Sequence, residues 1–398
     1  MSGSQHYKVV IVGGGAAGIS TAARLQKRLA KGDVAIVDPS QKHYYQPLWT
    51  LVGGGVGTRE ATMRDEASVI PPGAVWIQEA ARSFSPTDNA VELASGGRLT
   101  YDALVVCPGI QLDWHKVEGL EGNIGKHGIC SNYSYETVAA TWPAIQQVAD
   151  GKALFTHPNT PIKCGGAPQK IMYLAESTFR RRGVRDRVEV HFYSGMGESF
   201  TVPHYARKLD ELMARRKITP HYQRNLVAVR AEERVAVFEQ LDRPGEREEV
   251  PYSMIHVTPP MSAPDFIKQS PLANAAGWID VDKATLQHAR YPNVFGLGDA
   301  SSLPTSKTGA AIRKQAPTAA ANVLACLRGE PLPARYAGYT SCPIVTDYGK
   351  LILAEFDYDK NLCETFPFDQ SKERLSMYLL KKHALPKLYW HGMLKGRA

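Results

Sequence analysis

Val9-Val10-Ile11-Val12-Gly13-Gly14-Gly15-Ala16-Ala17-Gly18 decides the fold of the first part of the chain. A short apolar, β-branched run reads as a buried strand. The glycines after it permit a tight turn and close backbone approach, and the helix that follows can cradle a pyrophosphate on its N-terminal N–H groups. A helix is predicted over about 16–30 and a second strand over 33–37. Asp38 then stands 20 positions after Gly18, where a carboxylate can hold ribose hydroxyls. Strand, turn, helix, strand and acid together single out Gly13, Gly15, Gly18 and Asp38 as dinucleotide-binding residues.

A second strand, Ala153-Leu154-Phe155-Thr156, breaks this rule. It runs into His157-Pro158-Asn159-Thr160-Pro161-Ile162-Lys163-Cys164-Gly165-Gly166-Ala167-Pro168. Proline has no N–H to offer a phosphate. This turn is therefore poorly suited to a nicotinamide dinucleotide, and it presents a cysteine instead.

Two later stretches indicate which nucleotide the first turn holds. Tyr101 to Gly109 reads as a buried strand ending in a glycine turn. Val294-Phe295-Gly296-Leu297-Gly298-Asp299 reads as a strand delivering an aspartate. They resemble the second and third FAD motifs of flavoproteins with two dinucleotide-binding domains, which makes Gly109 and Asp299 cofactor residues. Lys307 and Thr308 precede a predicted helix over 309–327, whose positive end can face a reduced flavin. The fold class is α/β, with two Rossmann-like domains, the second inserted in the first, and a C-terminal membrane-surface module. The boundaries read as 1–112 with 280–330 for FAD, 113–279 for the inserted domain, and 331–398 for the module. The inserted domain should hold a helix near 167–182 and strands near 187–193 and 226–240.

At 398 residues the chain has room for two or three domains of about 150 residues each. Hydrophobic content of 43% and charged content of 22% fit a folded globular protein. No run approaches the roughly 20 apolar residues of a spanning helix. Strand one begins so early that no signal or transit peptide is visible. Residues 371–398 carry seven Lys and Arg against one Glu, giving +6 of the total +8. Interleaved with Tyr378, Leu379, Leu385, Tyr389 and Trp390, these charges fit a segment on an anionic membrane surface. An ordinary amphipathic helix packed on its own protein is the alternative. No nucleic-acid motif is present.

The six cysteines show neither a CxxC pair nor a zinc pattern, so no metal is expected. Cys107 and Cys326 lie in apolar runs and read as inert core residues. Cys164, beside Lys163, Lys170 and a helix N-terminus, has the setting of a low-pKa thiol. Cys342 lies in the loop Gly338-Tyr339-Thr340-Ser341-Cys342-Pro343. The two are 178 residues apart, and spacing does not establish contact. Chemically, a disulfide beside a flavin can be opened by sulfide to a persulfide and a thiolate.

The chain resembles sulfide:quinone oxidoreductases, in particular the mitochondrial-like branch. The likeness is densest at 43–53, 158–170, 303–308, 339–343 and 366–378. It implies an FAD enzyme with redox cysteines at Cys164 and Cys342 that form a disulfide or a bridging trisulfide. It implies hydrogen sulfide as donor, ubiquinone or a similar quinone as acceptor, and release of the sulfane sulfur to glutathione, sulfite or coenzyme A or as polysulfide. Tyr348, Phe356, Phe366, Phe368 and Lys372 are the residues available to a quinone. Cys130 matches a place where bacterial members carry a cysteine, sometimes joined to FAD, although a buried free thiol reads equally well. The resemblance implies peripheral attachment, through 371–398, to a bacterial or mitochondrial inner membrane, and an oligomer is compatible with it. The competing readings are a type II NADH:quinone oxidoreductase, a flavocytochrome sulfide dehydrogenase, and a non-catalytic FAD-binding redox sensor.

Overall fold

A computed structural model describes residues 4–398. Strand β1 (Gln5–Val12) enters the glycine turn and helix α1 (Ala16–Leu25) leaves it. β2 (Val34–Val37) and β3 (Arg98–Val106) flank β1 on either side, both parallel to it. All four residues Val9 to Val12 are buried, as expected of a parallel strand covered on both faces. The far edge of β3 is shared. Its first residues pair antiparallel with Ala90–Leu93, and its last three pair parallel with Val294–Gly296. The distant segment that carries Asp299 thus joins the sheet that β1 begins. Helix α1 is shorter than predicted. Beyond Leu25 the chain tightens into turns, and the Gln26 side chain donates to the carbonyls of Leu29 and Ala30.

A second, five-stranded parallel sheet lies within 129–256. Its centre is β4 (Gly151–His157), between Met254–His256 and Val188–Ser194. β4 feeds the cysteine turn and then α2 (Ala167–Arg181). The strand predicted near 226–240 is instead a hairpin, Arg224–Arg230 against Val235–Gln240. Arg234, at φ 53°, takes the left-handed conformation just before the second strand.

α3 (Gly309–Leu327) matches the predicted helix residue for residue. It is followed by the hairpin β5 (Thr340–Asp347) and β6 (Lys350–Phe356). This hairpin packs on α2. Successive side chains of β6 face opposite sides, as pleating requires. Ile352, Ala354 and Phe356 join Cys342 in the core around α2, while Leu351 and Leu353 face a second apolar cluster with Leu51, Leu174 and Met377.

A buried ionic network locks these parts together. Glu176 on α2 accepts from Arg180 at 2.8 Å and from Arg216 at 3.2 Å. Asp347, at the end of β5, accepts from Arg180 at 3.0 Å and from Arg216 at 3.4 Å. Both arginines touch both carboxylates, but Arg216 is the buried one, and removing it leaves Glu176 and Asp347 only the half-exposed Arg180 in common. Arg216→Ala is expected to destabilise the protein by about 3 kcal/mol, read from the denaturant midpoint. A loss well under about 1 kcal/mol would place the network among weak surface pairs.

Candidate active site

The hairpin delivers Cys342 to the turn that precedes α2. Cys164 Sγ and Cys342 Sγ lie 3.3 Å apart, both as free thiols. Gly166 makes this approach feasible. A Cβ at that position would sit 2.7 Å from Cys342 Sγ, so any other residue would push the sulfur away. Cys164 is held at φ 60°, a conformation that a non-glycine residue adopts at a cost. Its N–H donates to the Lys307 carbonyl at 2.8 Å, which ties the cysteine turn to the loop before α3.

Lys170, in the first turn of α2, reaches back so that its Nζ donates to Cys164 Sγ at 3.0 Å. Lys163, the neighbour in sequence, turns away and donates to Gln46 Oε1 at 2.7 Å. The sulfur contact with Cys342 holds the Cys164 thiol well below the usual range against the opposing effect of burial, and Lys170 and Lys381 add to the lowering. Cys342 is the raised partner, through its contact with Cys164 and through burial. Burial alone would lower Lys170, but the two sulfurs outweigh it and hold the ammonium.

Lys381 was not legible as a site residue. It is 4% exposed and its Nζ donates to the Pro47 carbonyl at 3.0 Å. Burial, with Lys170 nearby, lowers it to about 7, while both sulfurs pull the other way. It sits in a π-helical turn, Leu380–Ala384, a distortion that recurs at functional sites. The sulfur pair therefore faces one fixed cation and one that titrates near neutrality.

The first glycine turn fits a dinucleotide. Cβ atoms at Gly13 and Gly18 would meet Cys107 O at 2.4 Å and Gly13 O at 1.8 Å, so both positions require glycine. Gly15 faces open space and caps α1 with no side-chain hydrogen bond, leaving helix N–H groups for a phosphate. Asp38 Oδ2 accepts from Gly14 N at 2.5 Å. Gly109 (φ 84°) is also open. Asp299, Lys307 and Thr308 line one cleft with Gly298 and Gln315. Burial raises the Asp299 carboxyl, and among the described residues its side chain accepts no hydrogen bond. Lys307 Nζ donates to the carbonyls of Asp299 at 2.6 Å and Ser301 at 3.2 Å, and burial lowers it to about 8. Thr308 caps α3 by accepting from Ala311 N at 3.1 Å.

The remaining predicted residues divide. Cys130 is fully buried beside Met254–His256, its thiol pushed up to about 12 by burial. Phe366 and Phe368 stack at 5.4 Å and face the same apolar cluster as Tyr348. Phe356 points to the other face of the hairpin, against Phe200. Lys372 is exposed and lies 3.6 Å from Asp369. In the C-terminal segment Tyr389, Trp390, Met393 and Leu394 are buried in the core around α1, while Leu375 and Leu379 are exposed.

A family model described as pyridine nucleotide-disulphide oxidoreductase matches residues 7–139. The mitochondrial sulfide:quinone oxidoreductase of Mus musculus is 49% identical over 98% of this chain and 87% of its own length. The mitochondrial enzyme of Dictyostelium discoideum is 48% identical over 98% of this chain and 86% of its own length. The chain belongs to the sulfide:quinone oxidoreductase family. Members are FAD enzymes, and the cradle described above fits that cofactor. The fold agrees with the crystal structure of the sulfide:quinone oxidoreductase from Aquifex aeolicus. The TM-score is 0.80 at 21% identity, over 99% of this chain and 93% of that one.

Two outcomes follow from the geometry. Gly166→Ala should fold yet slow formation of a bond between Cys164 and Cys342 at least tenfold, measured by thiol counting during oxidation. Lys170→Gln removes the cation that favours the charged form of Cys164. Its alkylation profile should therefore move to higher pH by about one unit or more. An unmoved profile would show that Lys170 does not set the thiol's acidity.

Proposed function

We propose that this chain oxidises sulfide at Cys164 and Cys342 and passes two electrons to a membrane quinone. The observation that carries this reading is the 3.3 Å contact of the two sulfurs with Lys170 at 3.0 Å. A disulfide needs a separation of about 2.05 Å, so a small side-chain movement would close it. Two such bonds meeting near a tetrahedral angle span about 3.3 Å, which suits one extra sulfur held between the cysteines.

Hydrosulfide attacks Cys342 Sγ, and the bond between the cysteines breaks. Cys342 keeps the added sulfur as a persulfide, and Cys164 leaves as the thiolate. This direction follows from the cations, because Lys170 touches Cys164 and stabilises negative charge there. Lys381, near neutrality, can hold or release a proton beside the same sulfurs. The persulfide sulfur then passes to a nucleophile such as glutathione, sulfite or coenzyme A, the acceptors implied by the resemblance. FAD, when bound, supplies the two-electron carrier between the sulfurs and the quinone. Gly13, Gly15, Gly18 and Asp38 would hold its adenosine end. Asp299, Lys307, Thr308 and Gly109 would hold the flavin end. We assign the FAD domain to 1–112 with 280–330, the cysteine-bearing domain to 113–279, and the module to 331–398.

Among Tyr348, Phe356, Phe366, Phe368 and Lys372, the stacked pair Phe366 and Phe368 is the one we favour for the quinone ring. Attachment to the inner mitochondrial membrane is inferred from the mitochondrial relatives and from exposed Leu375 and Leu379 beside a basic segment. No helix among the described residues is long and apolar enough to cross a membrane. The rival NADH reading is disfavoured because Cys342 Sγ and Ile344 cover Gly166 at the start of α2, where a second pyrophosphate would sit.

Cys164→Ser and Cys342→Ser should each retain FAD and lose at least a hundredfold in the rate of sulfide-driven flavin bleaching under anaerobic stopped flow. Normal bleaching in both variants would refute the mechanism, and rapid bleaching by NADH would favour the rival.

A further inference from the structure

A separate cavity opens at the far end of α2, with a volume of about 420 Å³. Its walls include Trp142, Tyr348, Arg181, Arg182, Gln146 and the segment Gly54–Val56. It is distinct from the sulfur site, since the six residue steps from Cys342 along β5 to Tyr348, just past its end, span about 20 Å. No acidic residue lines it. The Arg181 guanidinium lies 4.1 Å from the Tyr348 ring centroid, and its ion-pair contact with Asp347 is long, at 4.0 Å. Its side chain remains 57% exposed. Arg182 spends one amino group on the carbonyls of Ile145 and Val148, leaving its other donors available. The C-terminus of α2 contributes about half a negative charge here, which two full positive charges outweigh.

The surroundings indicate the kind of anion. Tyr348 leads directly into Gly349, and exposed Leu375 packs against that turn. Leu379, also exposed, lies one turn further along the same helix. A phosphate acceptor beside uncovered leucines suits an amphiphile better than a soluble anion. We propose that this cavity binds the phosphate headgroup of an anionic phospholipid, with Arg181 as principal contact and the acyl chains over Leu375 and Leu379. The inference rests on the membrane attachment proposed above. It adds a headgroup site outside the 371–398 segment.

The test is flotation of the FAD-loaded protein with phosphatidylcholine vesicles, with and without phosphatidylglycerol. Wild type should bind the phosphatidylglycerol vesicles more tightly. Arg181→Glu should lose roughly tenfold of that affinity, while Lys387→Glu, the same charge change on an exposed residue away from the cavity, loses clearly less. Sulfide-driven flavin bleaching in detergent should be unchanged in both and shows that each variant is folded. Arg181→Gln gives the same comparison without charge reversal. Equal losses for Arg181 and Lys387 would overturn the site, leaving only diffuse attraction. Displacement by inorganic phosphate beyond that of chloride at matched ionic strength would make it a soluble-anion site and overturn the lipid assignment. If Leu379→Asp abolishes flotation and Arg181→Glu does not, the membrane reading stands and this inference fails. A wild type that never floats removes the membrane reading itself.

Discussion

The packing of the C-terminal hairpin on the N-terminal end of α2 is the contact on which the rest depends. It brings together two sulfurs that lie 178 residues apart in the chain. It also covers the helix end that, in the first domain, is left open for a phosphate. One substitution of chemistry follows from one substitution of shape. Where a glycine-rich turn would admit a pyrophosphate, Gly166 instead admits the Cys342 sulfur. The ionic network of Glu176, Arg180, Arg216 and Asp347 braces the opposite end of the same helix and hairpin. The sulfur contact is thus held by a rigid pair of elements, as a reactive geometry requires.

Electrostatics then gives the two cysteines unequal roles. A buried thiol alone is pushed upward, as Cys107 and Cys130 show. Cys164 moves the other way because a sulfur and a buried ammonium both touch it. Lys170 is held charged by the same sulfurs that it stabilises. Lys381 is close enough to feel that charge, and its lowered value near 7 reflects the cost of a second buried cation beside the first. This arrangement favours a thiolate on Cys164 and a sulfur carrier on Cys342. The asymmetry comes from the protein, not from the two residues, which are chemically identical.

The first dinucleotide cradle was fully legible because its signals are local. Strand, turn, helix start and acid fall within 38 residues, and Gly13 and Gly18 each have a steric reason visible in the fold. The anomalous second turn was legible for the same reason, through Pro158, Pro161 and Pro168. The pairing of Cys164 with Cys342 was not, since tertiary packing makes it, and only the family resemblance pointed there. Lys163 looked like the thiol's cation by adjacency, yet a left-handed Cys164 turns the chain so that Lys170 takes that place. Lys381 was hidden in a segment read as a membrane face. It is followed directly by Lys382 and His383, so nothing local sets it apart, and its burial is decided by tertiary contact with Pro47. That Phe356 and Phe366 lie on opposite sides of the hairpin was not readable either, because β6 is apolar on both faces and alternation gives no indication of side.

The central claim is that residues 164 and 342 form one sulfur-handling unit. Mass spectrometry of non-reduced proteolytic peptides tests it most directly, with protein oxidised in air and then exposed to one equivalent of sulfide. The account predicts that the two cysteine peptides emerge cross-linked, and that sulfide opens the link and adds a single sulfur atom to the Cys342 peptide, or, where bound FAD takes up two electrons, leaves the pair linked through that added sulfur. Two separate peptides, each carrying an unmodified thiol before and after sulfide, would contradict it.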